Sequence, residues 1–150
     1  MQTTTSKQAE VALGESHEQR IAENWIDGQM LTNHLRLVKS GQYDDFDFWV
    51  FDKQGILVCY LEVKKRRKPL SAFGDAMFPK RKHELALKIQ ETNTARFLAV
   101  TEYACGSLVE VDLACKPSFE RDIKRRDRPE MKPVPHVFYD KSKMAVLRVG

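Results

Sequence analysis

Positions 43–64 read YDDFDFWVFDKQGILVCYLEVK, the most informative segment of the chain. An aromatic segment comes first, a polar turn with one glycine follows at 52–55, and a run that is apolar at every position extends from 56 to 61. Aromatic and β-branched residues on both sides of a short turn predict a β-hairpin. We expect the second arm, which lacks alternation, to be a strand that is covered on both faces of a sheet.

Charged residues enter both arms of this hairpin at the same end. Strand side chains alternate between faces, so Glu62 and Lys64 share one face and Val63 points to the other. Asp45 and Asp47 share a face of the first arm for the same reason. A four-residue loop places Asp45 opposite Glu62, whereas a shorter or bulged connection places Asp47 there. Because opposed side chains are about 5 Å apart, either register joins two or three acidic groups with one ammonium.

This grouping favours a metal site over a solvated strand face. A Glu-x-Lys pair alone is typical of an exposed strand, but here it follows a buried run, where charges need a partner or a ligand. Carboxylate and carbonyl oxygens are the ligands of hard cations such as Mg²⁺ and Mn²⁺. Lys64 would lie beside such an ion. The end of the hairpin therefore predicts a divalent-metal centre.

The order of acid, turn and Glu-Val-Lys resembles the PD-(D/E)xK nuclease superfamily, in particular its small phage and Holliday-junction-resolvase-like endonucleases. Asp47 would be the first acid of the motif, Glu62 the second and Lys64 its lysine. Phe46 stands where the name of the family has proline. The resemblance extends over roughly residues 15–115, as a helix, a hairpin, a second helix and two further strands in the order of the family.

The resemblance implies a metal-dependent endonuclease that hydrolyses DNA and leaves a 5′-phosphate. Asp47, Glu62 and the backbone carbonyl of Val63 would hold Mg²⁺ or Mn²⁺. Lys64 would orient the attacking water, and Asp45 would be a further ligand or would support one. Two alternatives remain: a catalytically degenerate module of this fold that binds DNA, and a phage accessory or structural protein that reuses the fold.

The first predicted helix contributes a further acid to this site. It runs from His17 to about Leu37, capped by Ser16, or is divided into two shorter helices. Glu18 lies on its inward edge, where the resemblance implies a catalytic glutamate close to the metal. Glu15 is the competing position. For both Glu18 and Glu15, the alternative to a catalytic role is a structural one, in which the acidic side chain compensates the helix dipole.

The second predicted helix begins at Pro79 and contributes a basic residue. Lys82 precedes Ala86 and Ile89 by four and seven residues, so it shares their inward stripe. The resemblance implies a residue here that faces the scissile phosphate, and Lys80 is the other choice. A solvated surface position is the structural alternative for both lysines.

Positive charge is concentrated directly after the predicted metal site. Residues 61–90 contain nine basic and three acidic residues, whereas residues 1–60 contain five basic and nine acidic ones. Such a distribution is what a phosphate backbone requires of a DNA-binding protein. For a further basic group at 124–128, the sequence does not distinguish DNA contact from an ordinary protein surface. The predicted nucleic-acid-binding residues are Lys65, Arg66, Arg67, Lys80 and Lys82.

Length and composition indicate one globular domain. The chain has 150 residues, of which 42% are hydrophobic, and no apolar run approaches the length of a membrane span. We expect a flexible leader at 1–14 and a single nuclease-like domain at 15–150. The oligomeric state is open between a monomer and a homodimer.

The cysteines favour a reducing compartment. Cys59, Cys105 and Cys115 are an odd number without metal-ligand spacing, so we expect free thiols and a cytoplasmic protein, in the host cytoplasm if phage-encoded. A zinc site of Cys105, Cys115 and His136 is a disfavoured alternative.

The elements together predict an α/β fold. We expect a central mixed β-sheet flanked by helices, a restriction-endonuclease-like core, with a parallel crossover through the second helix. Residues 69–78 are expected to form a loop, and residues 117–132 an irregular segment with a helical turn at 119–125. A C-terminal β-hairpin is predicted from strands at 135–139 and 144–149.

Overall fold

The structure, a computed structural model, describes residues 6–28, 34–41, 44–93, 95–124, 127–128 and 130–148. These residues form helices α1 (Ser6–Asp27) and α2 (Lys80–Thr92). The strands are β1 (Arg36–Lys39), β2 (Phe48–Phe51), β3 (Leu57–Lys65), β4 (Asp75–Pro79), β5 (Arg96–Glu102), β6 (Leu108–Asp112), β7 (Phe119–Ile123), β8 (Val134–Asp140) and β9 (Met144–Arg148). Short 3-10 turns lie at Leu70–Ala72 and Lys141–Lys143.

The strands form two sheets. The central sheet has the order β1-β2-β3-β5-β6-β9, and a smaller one has the order β4-β8-β7. Strands β3 and β5 are parallel, and the chain passes from one to the other through β4 and α2, while the other described neighbours pair antiparallel. The predicted α/β fold with a central mixed sheet and a parallel crossover is confirmed.

Each face of the central sheet has its own core. Helix α1 covers one face, where its apolar stripe packs against alternate residues of β2 and β3. Helix α2 and the smaller sheet cover the other face. The residues of the first core include Ile21, Trp25, Phe48, Leu61 and Val63, and those of the second include Phe78, Ala86, Ile89, Phe97 and Tyr139.

The register of the predicted hairpin is decided by a bulge. Phe48 pairs with Leu61, but the register shifts between Val50 and Phe51. Gly55 closes the turn with φ of 79°, in the left-handed region that favours glycine. The bulged form of the hairpin is therefore the one observed, and it brings Asp47, not Asp45, beside Glu62.

The predicted bounds of the first helix were wrong. Helix α1 begins at Ser6, passes through Ser16 without a cap there, and ends at Asp27. Good helix formers such as lysine, glutamine, alanine and glutamate dominate positions 7–13, which explains the earlier start. Leu37 lies in β1 instead, where the backbone pairs with β2. Positions 29–33 lie outside the described residues, and the division into leader and domain stays a prediction.

Two segments that we expected to be irregular contain strands. Residues 75–79 form β4 and residues 119–123 form β7, so the helical turn predicted at 119–125 was wrong. Both strands pair with β8, and β8 lies far from β4 in sequence. Local sequence patterns therefore did not predict these strands. Tertiary pairing decided the conformation of these short segments.

The C-terminal strand–turn–strand unit is present as predicted. Strands β8 and β9 follow one another across the turn at Lys141–Lys143. Its two arms hydrogen-bond to different sheets, since β8 pairs with β4 and β7 while β9 pairs with β6. Across the described part of the chain, no helix is both long and apolar enough to span a membrane.

Candidate active site

Asp47 is fixed against β3 by two backbone contacts. Its N–H donates to the Leu61 carbonyl at 2.9 Å, and its Oδ2 accepts the Val63 N–H at 2.7 Å. The first contact continues the ladder of the hairpin beyond Phe48, and the second holds the carboxylate directly at the Glu62 position. The structure thus brings together the two acids that the motif predicted.

The two acids lie in a partly buried environment that disfavours their charges. Burial, and then the nearby Asp47 charge, raise the pKa of Glu62. Burial also raises the pKa of Asp47, and the hydrogen bond from Val63 opposes this effect. Two carboxylates whose charged forms are disfavoured in this way favour the binding of a cation.

One oxygen of Glu62 lacks a hydrogen bond. Glu62 Oε2 is buried and receives no well-aligned donor, although Lys82 Nζ forms an ion pair with it at 3.0 Å. A buried carboxylate oxygen with remaining capacity is a donor atom available to a metal ion.

Lys64 lies on the same face of β3 as Glu62, as predicted. Its ammonium donates to the Met77 carbonyl at 2.9 Å and lies 4.9 Å from the centroid of the Phe78 ring. Burial, and secondarily the charge of Arg66, lower the pKa of Lys64 to about 8. A lysine in this state can release and recover a proton near neutral pH.

The start of α2 is bound to the bend that precedes β2. Lys82 is only 8% exposed, and its ammonium donates to the Asp45 carbonyl as well as contacting Glu62. Arg81 Nη1 lies 3.1 Å from Asp45 Oδ1 in a more exposed pair. The inward position of Lys82 was predictable from its spacing to Ala86; its contact with Glu62 was not.

Glu18 approaches the site from the opposite face of the sheet. Its Oε2 accepts a hydrogen bond from Lys39 Nζ at 2.6 Å, and its charge makes a smaller contribution than burial to the raised pKa of Asp47. Sequence reasoning missed Lys39 because β1 was not predicted. The side chain of Glu15, the competing position, lies outside the described residues.

The basic residues that were predicted to contact DNA have different neighbours. Lys65 Nζ lies 3.4 Å from His17 Nδ1 on the α1 side. The Arg66 guanidinium lies over the Phe73 ring, 5.6 Å from its centroid, and Arg67 is exposed. Lys80 pairs with Glu120 of β7 at 3.1 Å. Of the lysines and arginines predicted to contact DNA, Lys82 differs from the others by its burial.

The carboxylate pair is the candidate metal centre among the described residues. Within them, no three or more His, Cys, Asp or Glu side chains are grouped closely enough to hold a metal ion. The zinc alternative of Cys105, Cys115 and His136 is therefore not assembled. The ligands of Mg²⁺ at this site would be Asp47, Glu62 and a backbone carbonyl.

The comparisons with known proteins include similarity to a solved structure. No protein-family model and no curated protein matches the chain. The structure of Hjc from Archaeoglobus fulgidus, a Holliday junction resolvase from an archaeal hyperthermophile, is 9% identical over 84% of this chain and 85% of that chain, with a TM-score of 0.46. A likeness of this degree carries no residue role or activity over to this chain.

Proposed function

We propose that this protein is a metal-dependent endonuclease of the PD-(D/E)xK type that hydrolyses phosphodiester bonds in DNA. The observation that carries the proposal is the pair of partly buried carboxylates, Asp47 and Glu62, at the end of a strand that also bears Lys64. Burial and the Asp47 charge disfavour ionisation of Glu62, and one buried oxygen of Glu62 lacks an aligned donor. A divalent cation would relieve both conditions.

The donor set fits Mg²⁺ or Mn²⁺. Asp47, Glu62 and the carbonyl of Val63 would supply hard oxygen ligands, and water would complete the coordination. When bound, the ion would polarise a phosphate oxygen and acidify a water molecule. The Val63 N–H keeps the Asp47 carboxylate oriented, because it donates to Oδ2 from the neighbouring strand. Glu18 would add negative charge from α1.

Lys64 and the basic surface would act on the DNA. The ammonium of Lys64, whose pKa is about 8, would orient the attacking water and stabilise charge on the phosphate in the transition state. Lys65, Arg66, Arg67 and Lys80 would contact the backbone on either side, since they lie at the strand end and at the start of α2. Buried Lys82 would act inside the site.

A cleavage assay tests the proposal. Plasmid, single-stranded and four-way-junction DNA are incubated with the protein in Mn²⁺ and in EDTA. We expect cleavage in Mn²⁺ only, and its loss in Asp47→Asn and Glu62→Gln, which remove charge with little change in volume. The matched control is Asp122→Asn, at an exposed position of β7. Full activity of Glu62→Gln would refute the proposal.

A DNA-binding domain without catalysis is the second candidate, and one observation favours it. The charged side chains of the site already have partners within the protein. Lys82 pairs with Glu62, and Lys64 donates a hydrogen bond to the Met77 carbonyl. This candidate predicts DNA binding that is equal in EDTA and Mn²⁺, no cleavage of any substrate, and a melting temperature that does not respond to Mn²⁺.

A further inference from the structure

Lys82 occupies an electrostatically unfavourable position. It is the third residue of α2, in the first turn of the helix, where the helix dipole presents partial positive charge. No acidic residue lies in that turn to compensate. The residue is 8% exposed, which is rare for a lysine. The position requires compensation from another element.

That compensation comes from the candidate metal centre itself. The Lys82 ammonium contacts Glu62 Oε2 at 3.0 Å and donates to the Asp45 carbonyl. Both partners belong to the hairpin, on either side of Asp47. Without Lys82, Glu62 would be a buried carboxylate whose charge lacks this partner, next to a second carboxylate.

We propose that Lys82 is the internal counter-cation of Glu62, and that divalent cations bind at Asp47 and Glu62 in competition with it. This inference rests on the proposed function. Two cations beside one carboxylate repel each other strongly in a poorly solvated site. The four-carbon stem of a lysine allows its ammonium to withdraw when a second cation arrives. Lys82 would thus keep the site folded without metal and lower its affinity for metal.

A metal titration tests the competition directly. Thermal unfolding and calorimetric titration with Mn²⁺ are compared for the parent, Lys82→Met and Lys82→Gln, where glutamine retains a donor for the Asp45 carbonyl. In EDTA, we expect both variants to melt at a lower temperature than the parent. We also expect the apparent dissociation constant for Mn²⁺ to be about tenfold lower in both variants than in the parent. Lys88→Met is the matched control, because Lys88 is an exposed position of the same helix.

The outcomes separate this inference from the proposed nuclease activity. Equal or weaker Mn²⁺ binding in both Lys82 variants overturns the competition, and so does the absence of Mn²⁺ binding in all proteins. Tighter binding in the variants, together with no DNA cleavage by the parent, supports the competition and refutes the nuclease. Tighter binding in Lys88→Met as well would show a general charge effect and overturn the assignment to Lys82.

Discussion

At the scale of single residues, burial governs the charges of the site. It raises the pKa of Asp47 and Glu62 and lowers that of Lys64 to about 8. Each group is thereby moved toward its neutral form, so each ionised form is less stable here than in water. A site built in this way is costly for folding and suited to ligands that restore the missing electrostatic compensation.

We expect Lys64→Met to stabilise the protein at pH 7 while abolishing cleavage. The folded-state pKa of Lys64, about 8, lies below the ordinary value of 10.5, so the folded state is penalised while both states are protonated. The gain should be on the order of 2 kcal/mol at pH 7. It should shrink as the pH rises from 8 to 10.5, because the folded parent has then lost this proton while the unfolded chain still holds it, so the parent gains stability as the pH rises. Urea unfolding at several pH values measures this; a gain that is constant with pH would contradict it.

At the scale of elements, ion pairs join α1 to the ends of the central strands. Arg20 donates two hydrogen bonds of 2.7 Å to the carboxylate of Glu102 at the end of β5, and Arg148 of β9 lies 3.7 Å from the same carboxylate. The hydrogen bonds from Arg20 are the main cause that lowers the pKa of Glu102. This junction lies beside the basic residues that follow β3, since the Arg66 N–H donates to the Glu102 carbonyl.

Arg20→Gln should lower the free energy of unfolding by about 1–2 kcal/mol at pH 7, because the variant removes a bidentate pair with a mostly buried carboxylate. The lowered pKa of Glu102 means that this contribution is present above pH 4.5 and is lost as the pH falls through the folded-state value. The difference between variant and parent should therefore vanish in acid. Arg96→Gln, which removes a more exposed pair with Asp112, should cost less than about 0.5 kcal/mol. Equal effects of the two variants in urea unfolding would contradict the assignment.

The basic run after β3 should contact phosphates and not base edges. Neutralising both Arg66 and Arg67 to glutamine should weaken binding to all DNA sequences about equally. The slope of log affinity against log salt should flatten by roughly 0.9 for each DNA phosphate that the variant no longer neutralises. The control is the double variant in which Lys141 and Lys143, in the turn between β8 and β9, are likewise changed to glutamine. Loss of one preferred sequence with an unchanged slope would show base recognition.

At the scale of the whole molecule, the smaller sheet and α2 together place the cations of the site. Lys64 donates to β4, Lys80 of α2 pairs with β7, and Lys82 of α2 pairs with β3. The two cores, one on each face of the central sheet, hold this layer in place. The three cysteines differ in exposure, so their reactivity toward a thiol reagent tests this arrangement.

The cysteines should react in a defined order. Cys105 is exposed, and its hydrogen bond with Ser107 is the main cause that lowers its pKa to about 7, so it should react first with a thiol reagent at pH 7. Burial of Cys59 between α1 and the sheet raises its pKa to about 12, so it should react only at the rate of global unfolding. Half-buried Cys115 should be intermediate. Mass spectrometry after timed labelling measures the order; early labelling of Cys59 would contradict the two-core arrangement.

Four features were predictable from the amino-acid sequence: the hairpin, α2, the parallel crossover and the sharing of a face by Glu62 and Lys64. These features depend on local periodicity, turn chemistry and alternation of side chains, which are properties of contiguous residues. The apolar stripe of α2 likewise predicts the inward position of Lys82.

Which aspartate lies beside Glu62 depends on tertiary structure, because a bulge of one residue shifts the register and leaves little trace in the sequence pattern. It also decided that β1, β4 and β7 are strands, since their pairing partners supply the hydrogen bonds that their own sequences do not specify. The contact between Lys82 and Glu62 joins residues 20 positions apart and depends on how α2 packs on the sheet. Local physics selected the elements and the motif, and long-range packing selected which charges meet within it.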